Sequence, residues 1–523
     1  MSERLRSLAA TFASPQESQL TAGEELIEVS APASTAASFY EKVRTAVDYQ
    51  EEHLLRRNAI LRILKRFLGS DLPIEKMAHN LLKELIWAKY LPNKEVPTNF
   101  AKKLVPIFAK YEPLLRAVDE DASKKDEAFF WVLDVMSTEL EYALTPPIHD
   151  EALVSYMYEE MRGRIFWDPK LAISDEHKDL RLYIAIHKIL LKSNIATLRF
   201  RVLTLYYPDW PGASTSARVE EIAGSLDHII ETIEGQLQNP VTVKLALLLR
   251  RKAGVFRVVH DVLLEKADEL PELLEDPEKL DREVAKYLKK RTKSFKIKLR
   301  RTVLRAVLFL FITKMLLALI LEVPYDFLIL KETSVLPLAI NVLFHPLFLA
   351  FIGMTVTIPE KRNSVDYIST IRGLVVGADH DLLNIRVKRE SFGTWGKIFS
   401  FVYALMFLFT YGVLATILIN IHFNWLSISL FLFFISLVTF FGIRIRTSTK
   451  DIVLSNARSG LFGSMFDVFM LPIVRAGRWL SFKVSKINIF IYFFDFIIES
   501  PLKVALKFIE GWVAFIREKK EEI

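Results

Sequence analysis

The chain of 523 residues contains no cysteine. That removes disulfides, thiolate metal sites and cysteine nucleophiles, and it is compatible with a reducing compartment. Glycine is sparse, at 18 residues, and phosphate-cradling glycine loops, the G-x-S-x-G elbow and the protein-kinase signature set are missing, as is H-E-x-x-H. His53, His79, His177, His187, His228 and His260 are scattered without metal-ligand spacing. The first residues, "MSERLRSLAATFASPQESQL", lack the apolar core of a signal peptide, and 1–37 reads as a Ser/Ala/Thr-rich disordered tail. Alternating polar and apolar runs of strand type are almost absent.

Long apolar runs are what the chain does have. Hydrophobic residues reach 51%, phenylalanine alone accounts for 38 positions, and charged residues still make up 25%. A pure membrane bundle is excluded by that last figure, so two parts are expected. Residues 1–288 carry 46 acids against 38 bases, 289–301 eight bases and no acid, and 302–523 carry 23 bases against 16 acids. An acidic soluble part, a basic collar and a greasy part follow one another. Nucleic acid is not an expected partner, because no separate folded domain presents the basic run.

The soluble part reads as an all-α domain over 38–276. Ser38 with Glu41 resembles a capping box opening a helix at 39–68, and further helices are predicted at 73–91, 98–117, 124–144, 147–163, 174–207, 215–238 and 240–266. Thr145–Pro146, Asn239–Pro240 and Asp276–Pro277 each place a capping residue before a proline suited to the first turn. The helix opened by Pro277 is expected to run through a basic juxtamembrane segment, 277–302, into the membrane. The repeated "LLRRNA" and "LLRRKA" lack a regular period between them, so a solenoid is not the favoured architecture.

Four segments are long and apolar enough to span a bilayer: 303–322, 336–358, 398–420 and 426–443. The collar, the 359–397 loop and 444–450 hold 18 Lys/Arg on one side, against Lys331 alone on the other. The positive-inside rule then places both termini and the helical domain in the cytoplasm, most simply at a bacterial plasma (inner) membrane. Lys289, Lys290, Arg291, Lys293, Lys296, Lys298, Arg300 and Arg301 are expected to meet anionic lipid. Beyond 443, the stretches "GLFGSMFDVFMLPIVRAGRWL" and "INIFIYFFDFIIES" mix acids, arginines and proline into large apolar residues. They predict amphipathic helices lying in the headgroup plane on the cytoplasmic side.

Charged and polar groups inside the spans are the main candidates for function. Lys314 lies about 14 Å below the outer border at 1.5 Å per residue. His345 falls at the same depth on the next span, with Asn341 one turn nearer the outside. These three are expected to cluster. Glu322 stands eight positions from Lys314, rotated by about 80° on a regular helix, so a direct pair is not expected and water would have to bridge them. In the 359–397 loop, Asp379, His380 and Asp381 form a weak candidate for a divalent cation, with a solvated turn as the default. No cofactor is implied. The leading expectation is a membrane-anchored scaffold or adaptor whose helical domain binds a protein partner. The alternatives are an oligomeric channel or secondary transporter built on the Lys/His/Asn cluster, and a lipid-modifying membrane enzyme.

Overall fold

A computed structural model describes residues 3–13, 25–47, 54–68, 72–120, 125–212, 216–266, 276–331, 335–356, 360–376, 383–387, 395–454 and 461–484, with a few isolated positions besides. The architecture is all-α, and its helices separate into two compact units.

The first unit is built mostly from Ser7–Gly163 and Ile173–Leu249. After α1 (Glu3–Ala13), its helices are α2 (Ala31–Val47), α3 (Leu55–Phe67), α4 (Ile74–Trp87), α5 (Phe100–Glu120), α6 (Lys125–Leu144) and α7 (Ile148–Arg162). They continue with α8 (Asp175–Ile186), α9 (Ile195–Tyr206), α10 (Ser216–Gly224), α11 (Leu226–Leu237) and α12 (Pro240–Leu249). Helix α6 sits at the centre. Trp131, Val132, Leu133, Val135, Met136 and Leu140 are all buried, so it is apolar nearly all round, as a helix packed on every side must be. Its carboxylates are matched by cations from its neighbours. Asp134 accepts from Arg57 of α3 and Arg199 of α9, at 3.1 and 2.7 Å. Glu139 accepts from Lys110 and, at 2.6 Å, from Tyr111, both on α5. Glu141 holds Arg56 at 2.8 Å.

Several expected helices divide. The one predicted at 39–68 becomes α2 and α3, and α2 begins at Ala31 rather than at Ser38. Ser38 is no cap: its hydroxyl donates to the Thr35 carbonyl inside the helix, while Glu41 serves Arg62 at 2.5 Å and Tyr90 at 3.1 Å. The helix expected at 174–207 breaks after a π-helical turn, His187–Leu191, where Lys192 takes a left-handed conformation and Asn194 caps α9. Thr145 is not a cap either, since α7 starts at Ile148 after Pro147. Asn239 and Asp276 behave as read: Asn239 accepts from the Val241 amide, Asp276 from those of Glu278 and Lys279.

The second unit comprises Arg164–Ala172 and Arg250–Ile487, with the first six residues. It contains the short parallel pair β1 (Ile165–Trp167) and β2 (Ile385–Val387), in register Ile165↔Ile385. Its helices are α13 (Ala253–Lys266), α14 (Pro277–Leu317), α15 (Val335–Met354), α16 (Glu360–Val376), α17 (Trp395–Asn420), α18 (Trp425–Ser448) and α19 (Leu461–Val484). Helical structure carries on beyond α14 to Leu330, giving 54 residues in all. Among the described residues, four helical stretches, Pro277–Leu330, Val335–Met354, Lys397–Asn420 and Trp425–Asp451, are long and apolar enough to cross a membrane. Their outward side chains are apolar: Leu304, Phe309 and Ile320 on the first, Leu347 and Phe351 on the second, Phe401 and Leu408 on the third. Such surfaces suit hydrocarbon, not water, and the unit is membrane-embedded.

Helix α19 covers the first of the two stretches for which in-plane placement is expected. It packs lengthwise on α18, with Gly477 so close that an added Cβ would lie 1.9 Å from the Ser436 carbonyl and 2.8 Å from Phe440 Cβ. Arg475 lies over the Tyr403 ring of α17 at 4.8 Å. Glycine allows this approach because it carries no side chain. The "INIFIYFFDFIIES" stretch lies outside the described residues.

Candidate functional site

The site is an inside-out helix face. Between Lys314 and Leu330, the buried residues are Lys314, Ala318, Glu322 and Asp326, each four apart, while Leu319, Ile320, Phe327, Leu328 and Ile329 are exposed. Three of the four buried residues carry charge and the exposed ones are greasy. In hydrocarbon this polarity is the stable one, because an ionisable group is tolerated only where protein faces it.

Helix geometry explains why these residues share one face. Pro324 has no amide hydrogen, and its ring crowds the carbonyl four residues back. The helix responds with π-helical turns on either side, Ala318–Glu322 and Asp326–Leu330. A π-turn inserts about one extra residue, so Glu322 lies about 20° from Lys314 around the axis instead of about 80°. The helix ends at Lys331, whose φ is 55°.

The neighbouring spans close the network. The Lys314 ammonium donates to Asn341 Oδ1 at 2.6 Å, and the Asn341 amide nitrogen donates to both Glu322 oxygens at 2.8 Å. Ser427 Oγ donates to Glu322 Oε2 at 3.1 Å. Lys314 Nζ also lies 4.4 Å from the centre of the Phe434 ring, a cation–π contact. Thus α14, α15 and α18 meet in one chain of charge-assisted bonds, and Lys314, Glu322, Asn341 and His345 are each 0% exposed. One step toward Leu330, Asn424 donates to Asp326 Oδ1 at 2.6 Å while its own side-chain oxygen caps α18 through the Ser427 amide.

The expected trio comes together only in part. Lys314 and Asn341 are directly bonded. His345 turns the other way: its Nδ1 faces the Asn341 carbonyl and its Nε2 the Phe431 carbonyl, both at 3.1 Å, with the Phe431 ring centre 4.5 Å away. It ties α15 to α18 beside the charged chain. Glu322 moves from the margin to the centre, bridged to Lys314 by Asn341 rather than by water. Ser427, Asn424 and Asp326 were not anticipated. Asn424 was readable as an N-cap before the Trp425 helix, and Asp326 continues the four-residue spacing.

The other candidates fare differently. In the collar, Lys290 pairs with Glu265, Arg291 with Asp261 and Lys296 with Glu360, so these three cations are engaged by the protein's own acids. Lys289, Lys293, Lys298, Arg300 and Arg301 are exposed. Asp379, His380 and Asp381 lie outside the described residues, and among the described residues no group of three or more acids and histidines is placed to hold a metal. No family model matches the chain, and neither do curated proteins or solved structures. Fold and site therefore define its class by themselves: an all-α, membrane-embedded protein with, among the described residues, four span-length helices and a charged network sealed among three of them.

Proposed function

We propose that this protein is a membrane-anchored adaptor, with the spans as anchor and the Ser7–Leu249 helical unit as the part that engages a protein partner. The observation that carries the reading is the closure of the intramembrane network. Both Glu322 oxygens and the Lys314 ammonium are committed to Asn341 and Ser427. Such an arrangement fixes the register and pairing of three helices, a role for which buried polar groups are well attested. Two features of the helical unit are in keeping with a partner: its acidic composition, and an apolar strip on α12 where Val243, Leu247 and Leu248 are exposed. The excess of cations on one side of the spans supports a cytoplasmic position for this unit.

A second reading, an ion or proton pathway, is favoured by one specific feature. The polar stripe does not stop at Glu322 but continues through Asp326 and Asn424 toward the Leu330 end of the helix.

Purified protein reconstituted into vesicles loaded with a pH-sensitive dye separates the two. The adaptor reading expects proton and cation flux equal to that of protein-free vesicles. Flux above that level, abolished by Glu322→Gln, would replace it with transport.

A further inference from the structure

The collar and the start of the first span belong to one unbroken helix, α14, so its side chains can be placed against the membrane border by counting residues. Two close contacts locate that border. Gly353, near the end of α15, comes so near α14 that an added Cβ would lie 2.6 Å from Val303 Cγ1. Gly442 of α18 approaches the adjacent Ile352 as closely, its added Cβ falling 2.6 Å from Cδ1. Val303 opens the first span, α15 ends at Met354, and Arg444 is the first charge after the apolar run of α18. Three spans thus reach their border at one level, marked by Val303, Gly353 and Gly442.

From Val284 to Leu321 this helix has no acid of its own. Farther from the border its cations take acids from neighbouring elements: Lys290 pairs with Glu265, Arg291 with Asp261 and Lys296 with Glu360. Arg300, Arg301 and Arg305 are exposed, and among the described residues no acid pairs with any of them. They continue the lipid-facing side of the span. Arg300, Leu304 and Leu308 follow at four-residue steps, and Arg301, Arg305 and Ile312 share the adjoining row, all of them exposed. At 1.5 Å per residue, Arg300 and Arg301 stand about 3–5 Å outside the Val303 level. Arg305 stands about 3 Å inside it, with its side chain leaning back toward the collar. The headgroup layer is about 5–8 Å thick on each side of the hydrocarbon, so all three guanidinium groups reach it. Lys293 and Lys289, about 15 and 21 Å out by the same count, lie beyond it.

We infer that Arg300, Arg301 and Arg305 form a binding site for the phosphate of an anionic phospholipid in the leaflet next to the collar, its acyl chains lying along Leu304, Leu308 and Ile312. A guanidinium offers two parallel N–H donors to two phosphate oxygens, and it is more weakly hydrated than an ammonium, which suits a group at the edge of hydrocarbon. Three cations on one lipid-facing surface, with no acid paired to them, leave their charge for the lipid to match. A zwitterionic headgroup brings its own cation beside the phosphate, whereas an anionic one keeps a net negative charge and is therefore preferred.

The test uses the full chain in phosphatidylcholine nanodiscs that contain a trace of phosphatidylglycerol with a photoactivatable group in its acyl chain near the glycerol. Crosslinks are mapped by peptide mass spectrometry and competed with unlabelled phosphatidylglycerol. Labelling within 299–312 should fall to a plateau as the competitor replaces a minor fraction of the phosphatidylcholine. Arg301→Gln with Arg305→Gln should raise the half-displacing fraction about 25-fold, about fivefold for each arginine. Lys289→Gln with Lys293→Gln should leave it unchanged, because Lys293 stands nearly two Debye lengths from the border. These four side chains are exposed, so thermal unfolding in detergent should not separate the variants from the unaltered chain. Labelling of the unaltered chain that the competitor does not displace would overturn the inference, since it reports bulk lipid alone. So would an arginine pair variant displaced at the same fraction as the unaltered chain, or a lysine pair variant shifted as far as the arginine one, which would make the collar a diffuse charge and not a site.

Discussion

His187 on the π-turn after α8 gives the sharpest test of the electrostatics in the helical unit. The ring is fully buried with neither nitrogen hydrogen-bonded, 3.8 Å from Glu151 of α7, and its centre lies 4.5 Å from that of the tilted Tyr183 ring of α8. Arg201 of α9 pairs with Glu151 and lies 4.4 Å over the Tyr142 ring of α6. Burial, and then the charge of Arg201, push the imidazole down from 6.5 to about 3. Burial pushes Glu151 up from 4.5 to about 7 in spite of Arg201, and Asp150 adds to the rise.

The two groups act on stability with opposite signs. His187 has a depressed value, so its contribution is present above 6.5 and is lost as pH falls toward 3. Glu151 has a raised value, so its contribution is present below 4.5 and is lost as pH rises through 7. Each changes stability by about 1.4 kcal/mol per pH unit inside its window. Between 4.5 and 6.5 the windows overlap and the slopes cancel. His187→Phe keeps the ring and deletes one slope. The variant should therefore lose about 3 kcal/mol relative to the unaltered chain as pH rises from 4.5 to 6.5. Above pH 7 it should be at least as stable, since a buried unpaired polar group is gone. Amide-exchange protection of α8 and α9 in the full chain measures this at each pH. Parallel protection profiles for the two proteins between 4.5 and 6.5 would refute the assignment.

Three further outcomes follow from the packing. Lys314→Met leaves the buried Glu322 carboxylate without its cation and should cost about 3–5 kcal/mol, most of it regained on adding Glu322→Gln; thermal unfolding in detergent reads both. Gly477→Leu must force α19 away from the Ser436 backbone, and a cysteine pair placed across α18 and α19 should crosslink less in that variant. Lys110→Met strands Glu139 among Tyr111 and Trp210 and should destabilise the helical unit by about 3–5 kcal/mol, seen as an earlier denaturant midpoint with an unchanged slope.

Where local chemistry decides the outcome, the sequence was readable. Asp276 before Pro277 caps the long helix because a carboxylate can reach two free amides and proline needs none. The four spans follow from length and apolarity, and Lys314 and Asn341 meet because each is the polar residue its helix cannot turn toward lipid. Breaks set by tertiary packing were not readable. The turn at His187–Lys192 contains neither glycine nor proline, and it forms where His187 is drawn wholly into the interior. Ser38 looked like a cap because the motif is short, but α2 already has a turn before it.

Glu322 shows how one residue can redirect a site. On a regular helix, four-residue steps drift by about 40° each, so Lys314, Ala318, Glu322 and Asp326 would spread over about 120° and could not all avoid lipid. The π-turns take up that drift, and they occur beside Pro324, where an α-helical bond is missing in any case. Charge spaced by four next to a proline is therefore one feature, not two. The proline widens the turn, and the widened turn lets a carboxylate eight residues from a lysine share an asparagine with it. A span ended at 322 leaves Pro324 and its π-turns out of account, and with them the geometry that makes Glu322 the partner of Lys314.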